Sequence, residues 1–481
     1  MTAVPGSTSA APEGHLRQGR PVRVGVLMTA LLVACFAFQL NASMLSPALS
    51  SIERSLHASS AEIGMTQTAF FTSAALFSLF LPRLGDLVGR RKVLAGMLGL
   101  MALGCVVAAF ANSVPMLFAG RVIQGVSGPT VPLCLIMLRV EVTEPKKYGT
   151  LLGVITAVNG GIAGIDSLAG GYLADHHGFG SVFWAMALVA AVGTVLVATL
   201  TPESRAASGT RMDWPGVLLL VVSVGAMLIA LNEAGKLGAA DWPLAAGLVV
   251  VSGIAFALFW RAQDRSPHPL VATRHLRRRS TWATLLTTVL TMTGVFAVMN
   301  GLLPAFAQDA EAGLGMSAEQ SAWWTLTPYA LAGLAMGPLA GRLAATHGYG
   351  RILRAGLIGA TVTVVLMLLT LDVHSRWLLL AASLLVGVAY AGVANIVLNG
   401  LGIVLSPKEN PGFLPGLNAG AFNLGSGLSF AVIYAVQTAA LPEDGSSTTG
   451  YAAGMIAGVV LLAVAFAASF LIPKPMAAEA D

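Results

Sequence analysis

The chain has 481 residues, of which 56% are hydrophobic and only 10% charged, with a mean hydropathy of +0.78 and a formal net charge of +5. No water-soluble chain has this balance, so soluble enzymes and nucleic-acid-binding domains are excluded at the outset. The three cysteines, Cys35, Cys105 and Cys134, all fall inside apolar runs, which points away from a disulfide framework or a zinc site.

Apolar runs of the length that crosses a bilayer, about 20 residues for about 30 Å, recur through the chain. A polar tail (1–23) precedes the first, at 24–46; its apolar part is too long for a signal peptide and reads as a retained helix. Runs at 61–82, 93–112, 115–138, 149–173 and 181–200 complete a first set of six, spanning 24–200. A linker, 201–280, holds a further pair at 214–232 and 243–260. A second set, within 281–472, lies at 282–306, 321–343, 353–371, 377–405, 412–438 and 451–472, followed by a short tail, 473–481. Fourteen spans are therefore expected in an all-α polytopic membrane protein, since helices satisfy their own backbone in lipid.

Alternate loops differ sharply in basic residues. With the N-terminus inside, 23 of the 27 Lys and Arg fall on the inner side, whereas only Arg54, Lys236 and Arg376 fall outside and Arg121 belongs to a span. Lys and Arg mark the cytoplasmic side, so both termini are expected in the cytoplasm of a cell (plasma or inner) membrane. The arginine-rich stretch 261–279 is then an orienting loop, and no nucleic-acid partner is implied.

PRLGDLVGRRK (82–92) has an echo in GRLAATHGYGRI (341–352), each after the second span of its set. Repeated halves with a site at their interface are the physical signature of an alternating-access transporter. The first copy resembles the loop motif of the major facilitator superfamily, with Pro82 in place of the leading glycine, and LFAGRVIQGVSG (117–128) resembles the fourth-helix motif of its proton-coupled members through Arg121, Gln124 and Gly125. The resemblance covers nearly the whole chain. It implies two six-helix halves with two extra central helices, as in the fourteen-helix drug:proton antiporter branch. LNASMLSPALSSI (40–52) resembles the first-helix motif of that branch but has Asn41 where the motif has its acid, and GGIAGIDSLAGGYL (160–173) resembles the fifth-helix motif but has Asp166-Ser167 where that has Gly-Pro.

The resemblance implies that Asp86, Gly89, Arg90 and Arg91 form a cytoplasmic latch holding the halves in the outward-facing state; Ala345 replaces the acid in the second copy, so the latch is asymmetric. Arg121 is a cation inside a span, which should face the bundle interior and have a partner. Asp166 is the acid well inside a span, at matching depth. On a helical wheel Gly164, Ser167 and Gly171 form a stripe of small residues suited to helix packing, while Asp166 and Asn159 share another face. Asp166 beside Arg121 is thus either the titratable carboxylate the first helix lacks or one half of a permanent ion pair. Gln39, Asn41, Gln124, Asn159, Asn300, Tyr329, Asn395, Asn399 and Asn423 are candidates for a mostly apolar cavity suited to an amphipathic organic substrate. Gln67, Asn418, Gln437 and Tyr390 are further polar groups within spans, and Asp175, His176 and His177 fit a solvated turn better than a metal site.

No nucleophile, phosphate-binding loop or metal-ligand set indicates an enzyme, and no cofactor or metal is implied. The expected activity is export of drugs or antibiotics in exchange for protons by a monomer, with Asp166 the proton site and Arg121 its modulator. A narrow metabolite or lipid carrier without proton antiport, with Arg121 holding an anionic group, is the alternative; a non-transporting receptor or scaffold is the alternative of another class.

Overall fold

The computed structural model describes residues 15–18, 23–142, 144, 147–152, 154–155, 163–206, 211–235, 238, 240–266, 269–271, 273–406, 413–442 and 448–473. A first group of helices comprises α1 (Val24–Ser43), α2 (Leu49–Leu56), α3 (Ser60–Val88), α4 (Arg90–Ala109), α5 (Val114–Gln124), α6 (Thr130–Glu141), α7 (Ala163–His177) and α8 (Phe179–Leu200). Next come α9 (Trp214–Ala234) and α10 (Trp242–Arg265), packed on each other through Ser223 and Ser252, whose hydroxyls each donate to the other's carbonyl at 3.0 and 2.8 Å. A second group follows: α11 (Arg279–Ala297), α12 (Leu303–Gln308), α13 (Ala318–Trp324), α14 (Leu326–His347), α15 (Tyr349–Val373), α16 (Arg376–Val386), α17 (Asn395–Val404), α18 (Phe413–Ala439) and α19 (Thr448–Ser469).

Twelve helical stretches among the described residues are long and apolar enough to cross a membrane. The expected fourteen is not supported by that count. One expected span, 149–173, falls partly outside the described residues, and the other, 321–343, is divided at Thr325 (φ −119°, ψ −73°) into α13 and α14. The chain is also not purely helical: β1 (His15–Gln18) pairs antiparallel with β2 (Glu203–Ala206), Gln18 opposite Glu203.

Local sequence explains the helix starts. Ser59 and Glu62 make a capping box at α3, as do Ser317 and Gln320 at α13, so side chains satisfy N–H groups that have no intrahelical acceptor. Asp213 and Asp241 do the same for α9 and α10, each followed by Trp-Pro. The two copies of the loop repeat end alike, with Gly89 (φ 124°) between α3 and α4 and Gly348 (φ 94°) between α14 and α15. Such a φ strains any other residue.

Two long helices change winding partway. Val298–Leu302 joins α11 to α12 and Gly387–Ala394 joins α16 to α17, both in the wider π form. These segments carry Asn300 and Tyr390, and π segments recur at functional sites.

Candidate functional site

The groups touch at the end of the bundle that carries Ser59, Asp175 and Asp309. Here α3 crosses α18, where Thr68 donates to the Gly427 carbonyl at 2.9 Å. The stripe of small residues on α7 meets the second group: Gly164 lies against Thr327 and Ala330, with Thr327 donating to its carbonyl at 2.8 Å, and Gly171 lies against the backbone of Ala318. Asp175 accepts from the N–H groups of Ala318 (3.0 Å) and Glu319 (2.8 Å), so a carboxylate of one group caps a helix of the other. Asp175 is exposed together with His176 and His177, and it serves as a cap. Gln308 donates to the Pro47 carbonyl at 3.0 Å. Deeper in, Phe71 packs edge-on to Phe296 (5.1 Å) and parallel to Phe430 (6.4 Å), bringing both groups into one aromatic seal.

Within the first group the most deeply buried charge among the described residues is Arg121. It is wholly buried on α5, and its guanidinium donates to Gln124 Oε1 (2.6 Å), Gln67 Oε1 (2.8 Å) and the Asn41 carbonyl (3.3 Å), lying over the Phe70 ring at 4.2 Å. Both glutamines must turn their oxygens to it, because arginine has donors only. Asn41, also wholly buried, donates to the Ala37 carbonyl and accepts from the Cys105 thiol.

Asp166 is 3% exposed and is not paired with Arg121, which corrects the expected juxtaposition. Instead Ser43 donates to its Oδ2 at 2.5 Å and Ser167 to Oδ1 at 3.3 Å; Gln39 donates in turn to the Ser43 hydroxyl at 2.9 Å. No ion pair to Asp166 forms among the described residues. The last turn of α1 thus holds both groups, Arg121 through Asn41 and Asp166 through Ser43. The hydrogen-bond spacing explains the miss: the partners lie 80 and 123 residues away in sequence.

At the opposite end Asp86 Oδ1 pairs with Arg90 at 2.7 Å, and Glu203 Oε1 accepts from the Arg91 N–H at 3.1 Å while Oε2 lies 3.6 Å from the Arg91 Nε. Asp86 and Arg90 lie at the α3–α4 joint, and Glu203 stands on β2, just after α8. Glu203 was missed by sequence reading; its signal is Gly89, because the Glu203 carboxylate occupies the space a Cβ there would need. Gly89→Ala is therefore expected to destabilise the protein by about 1–3 kcal/mol, the scale of a strained backbone residue. Gly348→Ala, with open space around it, should cost less. Thermal melting of both variants in detergent checks the ranking.

The remaining candidates scatter. Asn300, nearly buried, donates to the Phe296 carbonyl at 3.0 Å, and Asn423 lies one turn from Gly427 on α18. Tyr329 and Tyr390 face each other, centroids 6.4 Å apart and nearly parallel. Asn399 is exposed and bonded to Asn395, so this pair satisfies itself. Asn159 lies outside the described residues.

A family model described as Major Facilitator Superfamily matches residues 31–430. A uridine/deoxyuridine transporter of Lactococcus lactis subsp. cremoris is 53% identical over 451 residues, 93% of this chain and 94% of its own. Multidrug resistance protein Stp of Mycobacterium tuberculosis is 26% identical over 409 residues, 84% of this chain and 74% of its own. Among solved structures, the nucleoside transporter NupG is similar with a TM-score of 0.63 at 16% identity, covering 92% of this chain and 99% of its own, a likeness of fold. The drug-exporting branch is not confirmed: the relative that shares half its residues carries a nucleoside, not a drug, in its name.

Proposed function

Because the chain belongs to the Major Facilitator Superfamily and is therefore a multi-pass membrane carrier, we propose that it transports a pyrimidine nucleoside, uridine or deoxyuridine, across the cell membrane. The observation that carries this reading is the 53% identity to the uridine/deoxyuridine transporter over 93% of the chain. It favours the narrow metabolite carrier over drug export. A nucleoside is neutral and amphipathic, so it asks for a few hydrogen-bonding groups in an apolar frame. Asn300, one turn from Phe296, and Asn423, one turn from Gly427 where α18 meets α3, are assigned that role.

In this reading the two groups are six-helix halves that rock about the junction, and α9 and α10 are the inserted pair. Fourteen helices span the membrane, with both termini cytoplasmic. α14 is one of them: at 22 residues it is long enough, and it packs against α7 and its own group on one side while leaving Leu331, Leu334 and Leu339 exposed on the other. The Asp175 end is then external and closed. Asp166, held by hydroxyls and by no cation among the described residues, is the proton site.

The test is uptake of radiolabelled uridine by proteoliposomes, with a lipophilic cation dye as comparison. Saturable uridine flux that deoxyuridine competes away, with no dye transport, is expected. Dye transport without uridine flux would return the protein to the drug-export reading.

A further inference from the structure

At the Ser59 end lies a second junction that the proposed site does not use. Glu53, on α2, and Asp309, directly after α12, come from opposite groups, and α2 packs against α12 there. Asp309 is well provided with donors: its Oδ1 accepts from the N–H groups of Glu311 (2.9 Å) and Ala312 (3.0 Å), and its Oδ2 from the Tyr451 hydroxyl (3.0 Å). Glu53 is not. Its Oε1 is withdrawn from solvent and has no hydrogen-bond partner among the described residues. Beside it stands Tyr434 of α18, 1% exposed, whose hydroxyl is also without a partner among the described residues. The Tyr434 ring fills space left by Gly64 of the first group and Gly301 of the second, so no slack remains between the groups here.

The charged and titratable groups around Glu53 are Arg54 on its own helix, Asp309, Tyr434 and Tyr451. Arg54 is exposed and its charge is screened by solvent. Closing this end therefore brings two half-buried carboxylates of opposite groups within electrostatic reach of each other, where like charges repel. A proton on Glu53 removes the repulsion.

We propose that Glu53 is a proton-operated lock on the junction between α2 and α12, which closes when Glu53 takes up a proton from the adjoining solution and opens when Glu53 gives it back. The lock rests on the rocking of the two halves and not on the identity of the substrate, so its test needs no uridine. Spin labels on Ser55→Cys and Ala310→Cys, both exposed positions in opposite groups, report the gap by pulsed electron resonance in lipid nanodiscs. Lowering the pH from 8 to 5 should convert long distances to short ones, by up to about tenfold in population ratio per pH unit for a one-proton step. Glu53→Gln, which cannot ionise, should hold the short distance throughout, and Asp309→Asn, which removes the opposing charge, should do the same. A native gap indifferent to pH, or the native titration persisting in both variants, would overturn the lock. Failure of uridine uptake with the lock intact would instead count against the substrate.

Discussion

Arg121→Lys is expected to lower uridine transport about a hundredfold, although the charge is kept. The guanidinium serves three acceptors on three helices at once: Asn41 of α1, Gln67 of α3 and Gln124 of α5, with its face on Phe70. An ammonium cannot span the two glutamine oxygens and stack on a ring. Losing two hydrogen bonds to a charged group, each worth about 1.5–3 kcal/mol, comfortably covers the roughly 2.7 kcal/mol that a hundredfold represents. Arg121 is also the tie that fixes the end of α1, where Ser43 is the one donor to Asp166 from another helix among the described residues. Uptake assays together with melting curves check this. A lysine variant as active as the native protein would reduce Arg121 to a buried charge that any cation could replace.

Much of the architecture was legible because a bilayer imposes one length on every span and the repeated loop imposes one backbone shape. Gly89 and Gly348 could be aligned from sequence, and both adopt a positive φ at the same joint. The small-residue stripe on α7 could be read off a helical wheel, and Gly164 and Gly171 do meet the second group. What sequence spacing hides is which distant segment answers a buried polar group. Arg121 and Asp166 share a depth, but depth is one coordinate of three, and the turn of α1 between them decides that they stay apart. Glu203 escaped notice because an acid just after a span looks like a solvated end; only the missing Cβ of Gly89 shows that the carboxylate is docked on the start of α4. The split of 321–343 at Thr325 and the π turns around Asn300 and Tyr390 are tertiary choices with no apolar period to mark them.

Asp166→Asn is expected to abolish proton-driven accumulation of uridine while leaving exchange of labelled for unlabelled uridine within about threefold. The substitution is nearly isosteric, and an asparagine oxygen still accepts from Ser43, so the Gln39–Ser43–residue 166 chain survives. What it removes is the capacity to bind and release a proton. Because no cation is paired with Asp166 among the described residues, taking up that proton breaks no ion pair, and the energy of protonation is free to bias one arrangement of the halves over the other. Proteoliposomes with an imposed pH gradient separate the two activities: the native protein should move uridine against its concentration gradient, and the variant should only equilibrate it. The native rate should also vary with pH where the variant's is flat. Accumulation retained in Asp166→Asn, but lost in Glu53→Gln, would place the coupling proton at the junction of α2 and α12 and leave Asp166 as a structural acceptor for α1.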